Sequence, residues 1–137
     1  AEAANSLAKY GEDAIPYLVQ LFQRDSNWLV RFSIFAAIDS IQYPETILKL
    51  SILGLRGENL VVKETVVASL GQLAETPQES RALELLLSVA QSQQAPIRAL
   101  AAKVLRNFKT PKAETALANL RRDSDYRVVS ATLEGLV

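Results

Sequence analysis

The side chains that most often do chemistry are thinly represented in this chain. It has no histidine and no cysteine, so the usual general base, the commonest neutral metal ligand and every thiolate nucleophile or thiolate metal site lack their residue. Carboxylates do occur in two close pairs, Glu12 with Asp13 and Asp123 with Asp125. Such pairs can serve acid/base work, but at helix ends they more commonly cap the helix or answer its dipole, and that role is expected here. Tyr10, Tyr17, Tyr43 and Tyr126 could each donate a hydrogen bond, yet nothing places a base beside them. The stretch GLRGENL at 54–60 has two glycines without the spacing, or the Lys-Ser/Thr pair, of a phosphate loop, and it reads as a turn. No catalytic residue, cofactor or metal is expected.

Two features point to binding instead. From Arg98 to Arg122 the chain carries Arg98, Lys103, Arg106, Lys109, Lys112, Arg121 and Arg122 against the single acid Glu114, a net +6 over 25 residues. This segment could meet an acidic protein or a phosphate backbone; it could equally be the solvated faces of two helices. No aromatic residues interleave with it as a stacking platform for nucleic acid would need, apart from Phe108, which belongs to the core. The whole chain has 15 basic and 15 acidic residues, so no global field draws nucleic acid or an anionic membrane. The second feature is a recurrence: RDSNW at 24–28 returns as RDSDY at 122–126.

The elements that must position these residues are helices. The sequence is 49% hydrophobic with only 5 Gly and 5 Pro, too little punctuation for many short strands. Aligning WLVRFSIFAAIDSI (28–41), LVVKETVVASLGQL (60–73), APIRALAAKVLRNF (95–108) and YRVVSATLEGLV (126–137) brings Val30, Val62, Ile97 and Val128 into one column. Ile38, Leu70, Leu105 and Leu136 share another, and Ile41, Leu73 and Phe108 a third. The copies are 32, 35 and 31 residues apart, and a further step back places Leu7 in the Ile38 column, so AEAANSLAKYG reads as a truncated leading copy. Val30, Ile34, Ile38 and Ile41 follow a helical spacing.

A second amphipathic segment precedes each copy, with Ile15, Leu18, Val19 and Phe22; Ile47, Leu48 and Ile52; Leu83, Leu86, Leu87 and Ala90; or Ala113, Leu117 and Leu120 facing inward. Each unit is thus a helical hairpin, and hairpins that cannot bury their own apolar faces must stack. Pro16, Pro44, Pro77, Pro96 and Pro111 fall at or near helix starts, with Thr76 and Thr110 as N-caps. DSN and DSD are the turns inside two hairpins, and Ser26, Asn27, Ser124 or Asp125 can cap the helix that follows.

A helical pair whose second helix opens D-x-x-x-x-V-R resembles the HEAT repeat, and more narrowly the HEAT-like repeats of the phycobilisome lyase type. Asp25 with LVRFSIFAAI, Glu58 with VVKETVVASLGQL, PIRALAAKVL with Arg98, and GEDAIPYLVQLF carry the likeness. It implies an all-α, right-handed superhelical solenoid of about four hairpins plus a partial leading unit, one domain over residues 1–137. It also implies a structural ladder in which turn acids pair with arginines of neighbouring units, filled here by Asp25, Arg31, Glu58, Lys63 and Arg98. Val129 stands in the arginine column and Ser92-Gln-Gln-Ala replaces the expected acid, so the ladder is expected to lapse at its C-terminal end.

In that family the second helices line the concave side. The positions that miss the core there are Leu29, Phe32, Ala36 and Asp39; Val61, Glu64, Ala68 and Gln72; and Ala99, Lys103 and Arg106. Leu29, Phe32 and Val61, with Trp28, are apolar where a solvated face is normally polar, and form the expected partner-binding patch, with Lys103 and Arg106 as weaker contributors. A unit ahead of the chain or a shift of register would instead bury Phe32. The leading function is a protein-interaction scaffold. The resemblance offers an alternative, a phycobilin lyase-like factor that positions a bilin and the thiol of a phycobiliprotein, in which case the basic segment 98–122 could meet the propionates of the bilin. Nucleic-acid binding through 98–122 ranks last. No signal segment and no run of 18 apolar residues occurs, so a cytoplasmic protein is the default. The chain opens as if mid-helix without Met and ends in an uncapped amphipathic helix at Leu136 and Val137, and is expected to be a fragment of a longer protein.

Overall fold

The computed structural model describes residues 11–134. A short 3₁₀ turn, Gly11–Ala14, leads into eight α-helices: α1 Ile15–Arg24, α2 Trp28–Ala37, α3 Pro44–Arg56, α4 Leu60–Gly71, α5 Glu79–Val89, α6 Ala95–Leu105, α7 Pro111–Leu120 and α8 Tyr126–Leu133. There is no strand among the described residues. The fold class is all-α, a succession of helical hairpins of the α-solenoid kind. The truncated copy with Leu7 and Tyr10, the side chain of Glu12, and the Leu136–Val137 end lie outside the described residues.

The chain packs as two compact units, Ala1–Ser69 and Leu70–Val137, with the division inside α4. In the first unit α1 packs on α2 and α3. Its centre is Phe22, fully buried, which meets Phe35 edge-on at 5.6 Å and 74°. Gly54 of α3 brings that helix against the same ring and against Val62 and Val66 of α4. In the second unit α6 packs on α5, α7 and, most extensively, α8. Ala101 and Ala102 of α6 and Val128 and Ala131 of α8 are buried, small or β-branched side chains that let two backbones approach closely.

Local chemistry sets the helix starts. Asn27, Thr110 and Asp125 each accept a backbone N–H of the first turn that follows, and Pro16, Pro44, Pro96 and Pro111 occupy first-turn positions whose N–H would have no helical partner. Thr76 departs from the expected capping role. Its Oγ donates to the Leu73 carbonyl and accepts the Gln78 N–H, and α5 starts only at Glu79. Glu75, just before it, has φ 64, the left-handed region, and its N–H donates to the Glu79 carboxylate.

Three packing expectations also differ. Ile41 is 59% exposed, because α2 stops at Ala37 and Asp39 Oδ1 accepts the Ile41 and Gln42 N–H groups in a turn; Ser40 is buried instead. Ile52 is exposed, since the buried face of α3 centres on Ile47, Ser51 and Gly54 and Ile52 falls beyond its edge. Gly54 lies inside α3 rather than in a turn, and the turn begins at Gly57.

Gly71, at the end of α4, has a similar packing role in the second unit. A Cβ added there would collide with Val104 Cγ1, and Val104 is a short, branched, buried side chain with little freedom to yield. Gly71→Ala gains up to about 1 kcal/mol of helix propensity but is expected to lose about 1–3 kcal/mol to overpacking. Urea unfolding should therefore show net destabilisation, with partial recovery when Val104→Ala is added.

Candidate protein-interaction site

The recurring RDS-Asx-aromatic stretch is one turn built twice. Asp25 Oδ1 accepts the Asn27 N–H at 2.9 Å and Asn27 Oδ1 accepts the Leu29 N–H at 2.9 Å. In the later copy Asp123 Oδ1 accepts the Asp125 N–H at 2.9 Å and Asp125 Oδ1 accepts the Arg127 N–H at 2.8 Å. Two successive Asx turns fix the exit of the first helix and cap the second. The aromatic residue is thereby placed at the first position of the second helix, Trp28 in α2 and Tyr126 in α8.

The arginines of the expected ladder act first on backbone. Arg31 Nε donates to the Asp25 carbonyl at 2.9 Å and Nη2 to the Phe22 carbonyl at 3.1 Å, while the guanidinium sits 4.6 Å from the Phe22 ring centroid. Arg98 Nη1 donates to the Ser92 carbonyl at 2.8 Å, again six residues back. An acid joins in only one case. Arg98 grips Asp123 with two hydrogen bonds, Nε to Oδ2 at 2.8 Å and Nη2 to Oδ1 at 3.1 Å, with both side chains largely buried. The expected lapse at the C-terminal end is thus corrected: a two-point pair joins α6 to the turn before α8. Its acid, Asp123, was missed as a rung, although DSD and DSN put it in the Asp25 column.

Asp25 does not pair with an arginine, because its carboxylate turns onto its own loop. Glu58 makes no ion pair among the described residues. Counting 32 residues back from Glu58 reaches Ser26, so it is Gly57 that holds the Asp25 position; Asn59, equivalent to Asn27, accepts the Val62 N–H at 3.1 Å. Lys63 holds the Arg31 position in α4 and is half-buried.

α2 carries the apolar residues of the candidate patch. It buries Ser33, Ile34 and Phe35, while Trp28 is 44%, Leu29 46% and Phe32 37% exposed. Phe32 stands four residues after Trp28 and three after Leu29, the spacings at which side chains neighbour each other on a helix surface, so Phe32 joins the other two into one patch over the first two turns. Val61 is 40% exposed at the place in α4 that matches Leu29. The cationic candidates have internal company. Lys103 Nζ and Arg106 Nη1 each lie 4.0 Å from Glu134 Oε2, at the limit of an ion pair, with Lys103 and Glu134 exposed and Arg106 half-buried. Lys109 donates to the Arg106 carbonyl.

Among the described residues no group of His, Cys, Asp or Glu could hold a metal ion, and no helix is long and apolar enough to cross a membrane. A family model for HEAT repeats matches residues 47–137. The chain belongs to the HEAT-repeat family, whose members commonly act as protein-interaction scaffolds. No curated protein gave a match to the chain.

The arginine geometry has two measurable consequences. Arg31→Ala removes both carbonyl bonds and is expected to cost about 1–3 kcal/mol of stability, measured by chemical unfolding, with partner capture through α2 unchanged. The hydrogen bonds from Arg98 hold the Asp123 carboxyl below its ordinary 3.8, and Arg127 does the same for Asp125. A depressed carboxyl stabilises the fold above its unfolded pKa and loses that contribution as pH falls through its folded value. Thermal midpoints should therefore drop progressively below about pH 4, and Asp123→Asn should lower the neutral midpoint and flatten that acid limb.

Proposed function

We propose that this HEAT-repeat chain is a scaffold that seats a partner protein on its second-helix face. In the first unit Trp28, Leu29 and Phe32 form the anchor and Val61 repeats it in the next hairpin; in the second unit, taken by itself, Lys103 and Arg106 offer a weaker charged contact. The observation that carries this reading is the exposure of three large apolar side chains within two turns of a single ten-residue helix. Trp is among the residues that most often anchor protein interfaces, where truncating such an anchor costs about 2 kcal/mol or more, and Leu29 and Phe32 enlarge the apolar surface around it. Lys103 and Arg106 hold Glu134 only loosely, so an acidic group of a partner can replace it at small cost.

The narrower likeness to repeats of the phycobilisome lyase type gives this proposal a more specific form, in which the partner is a phycobiliprotein and a bilin travels with it. It rests on the sequence resemblance. Nucleic-acid binding has weaker support, because Arg98 is held by Asp123 and Phe108, the aromatic residue inside the basic segment, is buried and offers no stacking face.

The test is a pull-down from source lysate with the chain and with a Leu29→Asp, Phe32→Asp double variant, read by mass spectrometry and by the visible spectrum of the eluate. The double variant should keep its helicity and cooperative unfolding and lose the partner at least about tenfold. A pigment band with a phycobiliprotein would favour the lyase-like form, and a colourless partner the plain scaffold. Collapse of cooperative unfolding would assign Leu29 and Phe32 to the core and overturn the proposal.

A further inference from the structure

The +6 charge of residues 98–122 divides in the structure. Arg98 is matched by Asp123, and Lys103 with Arg106 faces Glu134. Lys112, Arg121 and Arg122 have no acidic partner among the described residues, and all three belong to α7 or its C-terminal end. Among the described residues Lys109, in the turn before α7, bonds only the Arg106 carbonyl, so the charge without an acid lies on α7 and at its two ends.

That helix forms one wall of a groove. Between α5 and α7, inside the second unit, lies a cleft of about 450 Å³, within the ~300–1,000 Å³ of small-ligand sites. Leu87, Ala90, Ala116 and Leu120 supply its apolar surface, and Lys112 is the one charged residue that lines it. Gln91 and Asn119 are exposed beside it, and their side-chain amides form no hydrogen bond among the described residues.

We propose that the α5–α7 groove binds a short acidic peptide segment carrying a bulky apolar side chain. The apolar surface takes the side chain, Lys112 pairs with a carboxylate, and the free amides of Gln91 and Asn119 suit a peptide main chain, which offers both donors and acceptors. Arg121 and Arg122 extend the positive field that favours an acidic segment. A nucleic acid fits less well, since no aromatic side chain lines the groove to stack a base. This site lies on first helices and is independent of the α2 patch.

The test uses the full ¹⁵N-labelled chain and a pool of acetylated hexapeptides with Asp or Glu outside and Leu, Ile, Phe or Trp at the two central places. Amide shifts should map to Leu87, Ala90, Ala116 and Asn119. Lys112→Glu, at an exposed position, should weaken binding roughly tenfold or more, and Asn119→Trp, which fills the groove from its rim, should abolish it. The Leu29→Asp, Phe32→Asp variant should bind the pool unchanged. The proposal is overturned if the pool shifts none of these amides, if a pool with Lys in place of the acids binds equally, if Lys112→Glu binds like the parent, or if oligouridylate or decanoate occupies the groove and the acidic pool does not.

Discussion

A helix that reverses into a second helix leaves carbonyls at its C-terminal end without partners, and in this chain a guanidinium from the second helix takes them. Arg31 reaches the carbonyls of Phe22 and Asp25, and Arg98 that of Ser92. Water would satisfy the same groups less rigidly. Because the donor sits one turn inside the second helix, it fixes the angle at which the two helices leave the turn. The apolar columns then face the next element rather than solvent. In the first unit the same guanidinium lies on the Phe22 ring, so the polar clamp and the packing centre are one object.

The repeat was legible because its period survives in the apolar columns, and because Asn27, Thr110 and Asp125 are residue types whose side chains cap helices. Where the reading failed, a local hydrogen bond overrode the column. Asp39 captures the Ile41 N–H and ends a helix that apolar spacing alone would extend. Thr76 bonds back to Leu73 and is thereby lost as a cap. Glu58 was aligned by charge type although the backbone register gives its expected place to Gly57. The same preference hid Asp123, whose loop role and rung role are both served by one carboxylate.

The candidate patch was legible for a different reason. A helix with more apolar residues than one face can bury must expose some of them, and α2 exposes those that the core column left over. The basic segment shows what a sequence count conceals. Seven cations in one segment look alike until their neighbours are known, and those that lack an acid among the described residues are Lys109 in the turn before α7 and the three on α7 or at its C-terminal end. Charge matters to a partner through what remains unmatched, and pairing depends on contacts between distant residues that no spacing rule supplies.

The two clamps differ in how they would travel. Arg31 finds both of its carbonyl acceptors within its own hairpin, whereas Arg98 also holds an acid 25 residues further on. The first hairpin is thus a self-contained cassette as far as this arginine is concerned, and its turn would survive transplantation into another array. The hairpins of α5–α6 and α7–α8 are keyed to each other and would have to move together. Recombination among such repeats would favour break points outside the keyed pair, so these two hairpins would be gained or lost as one unit.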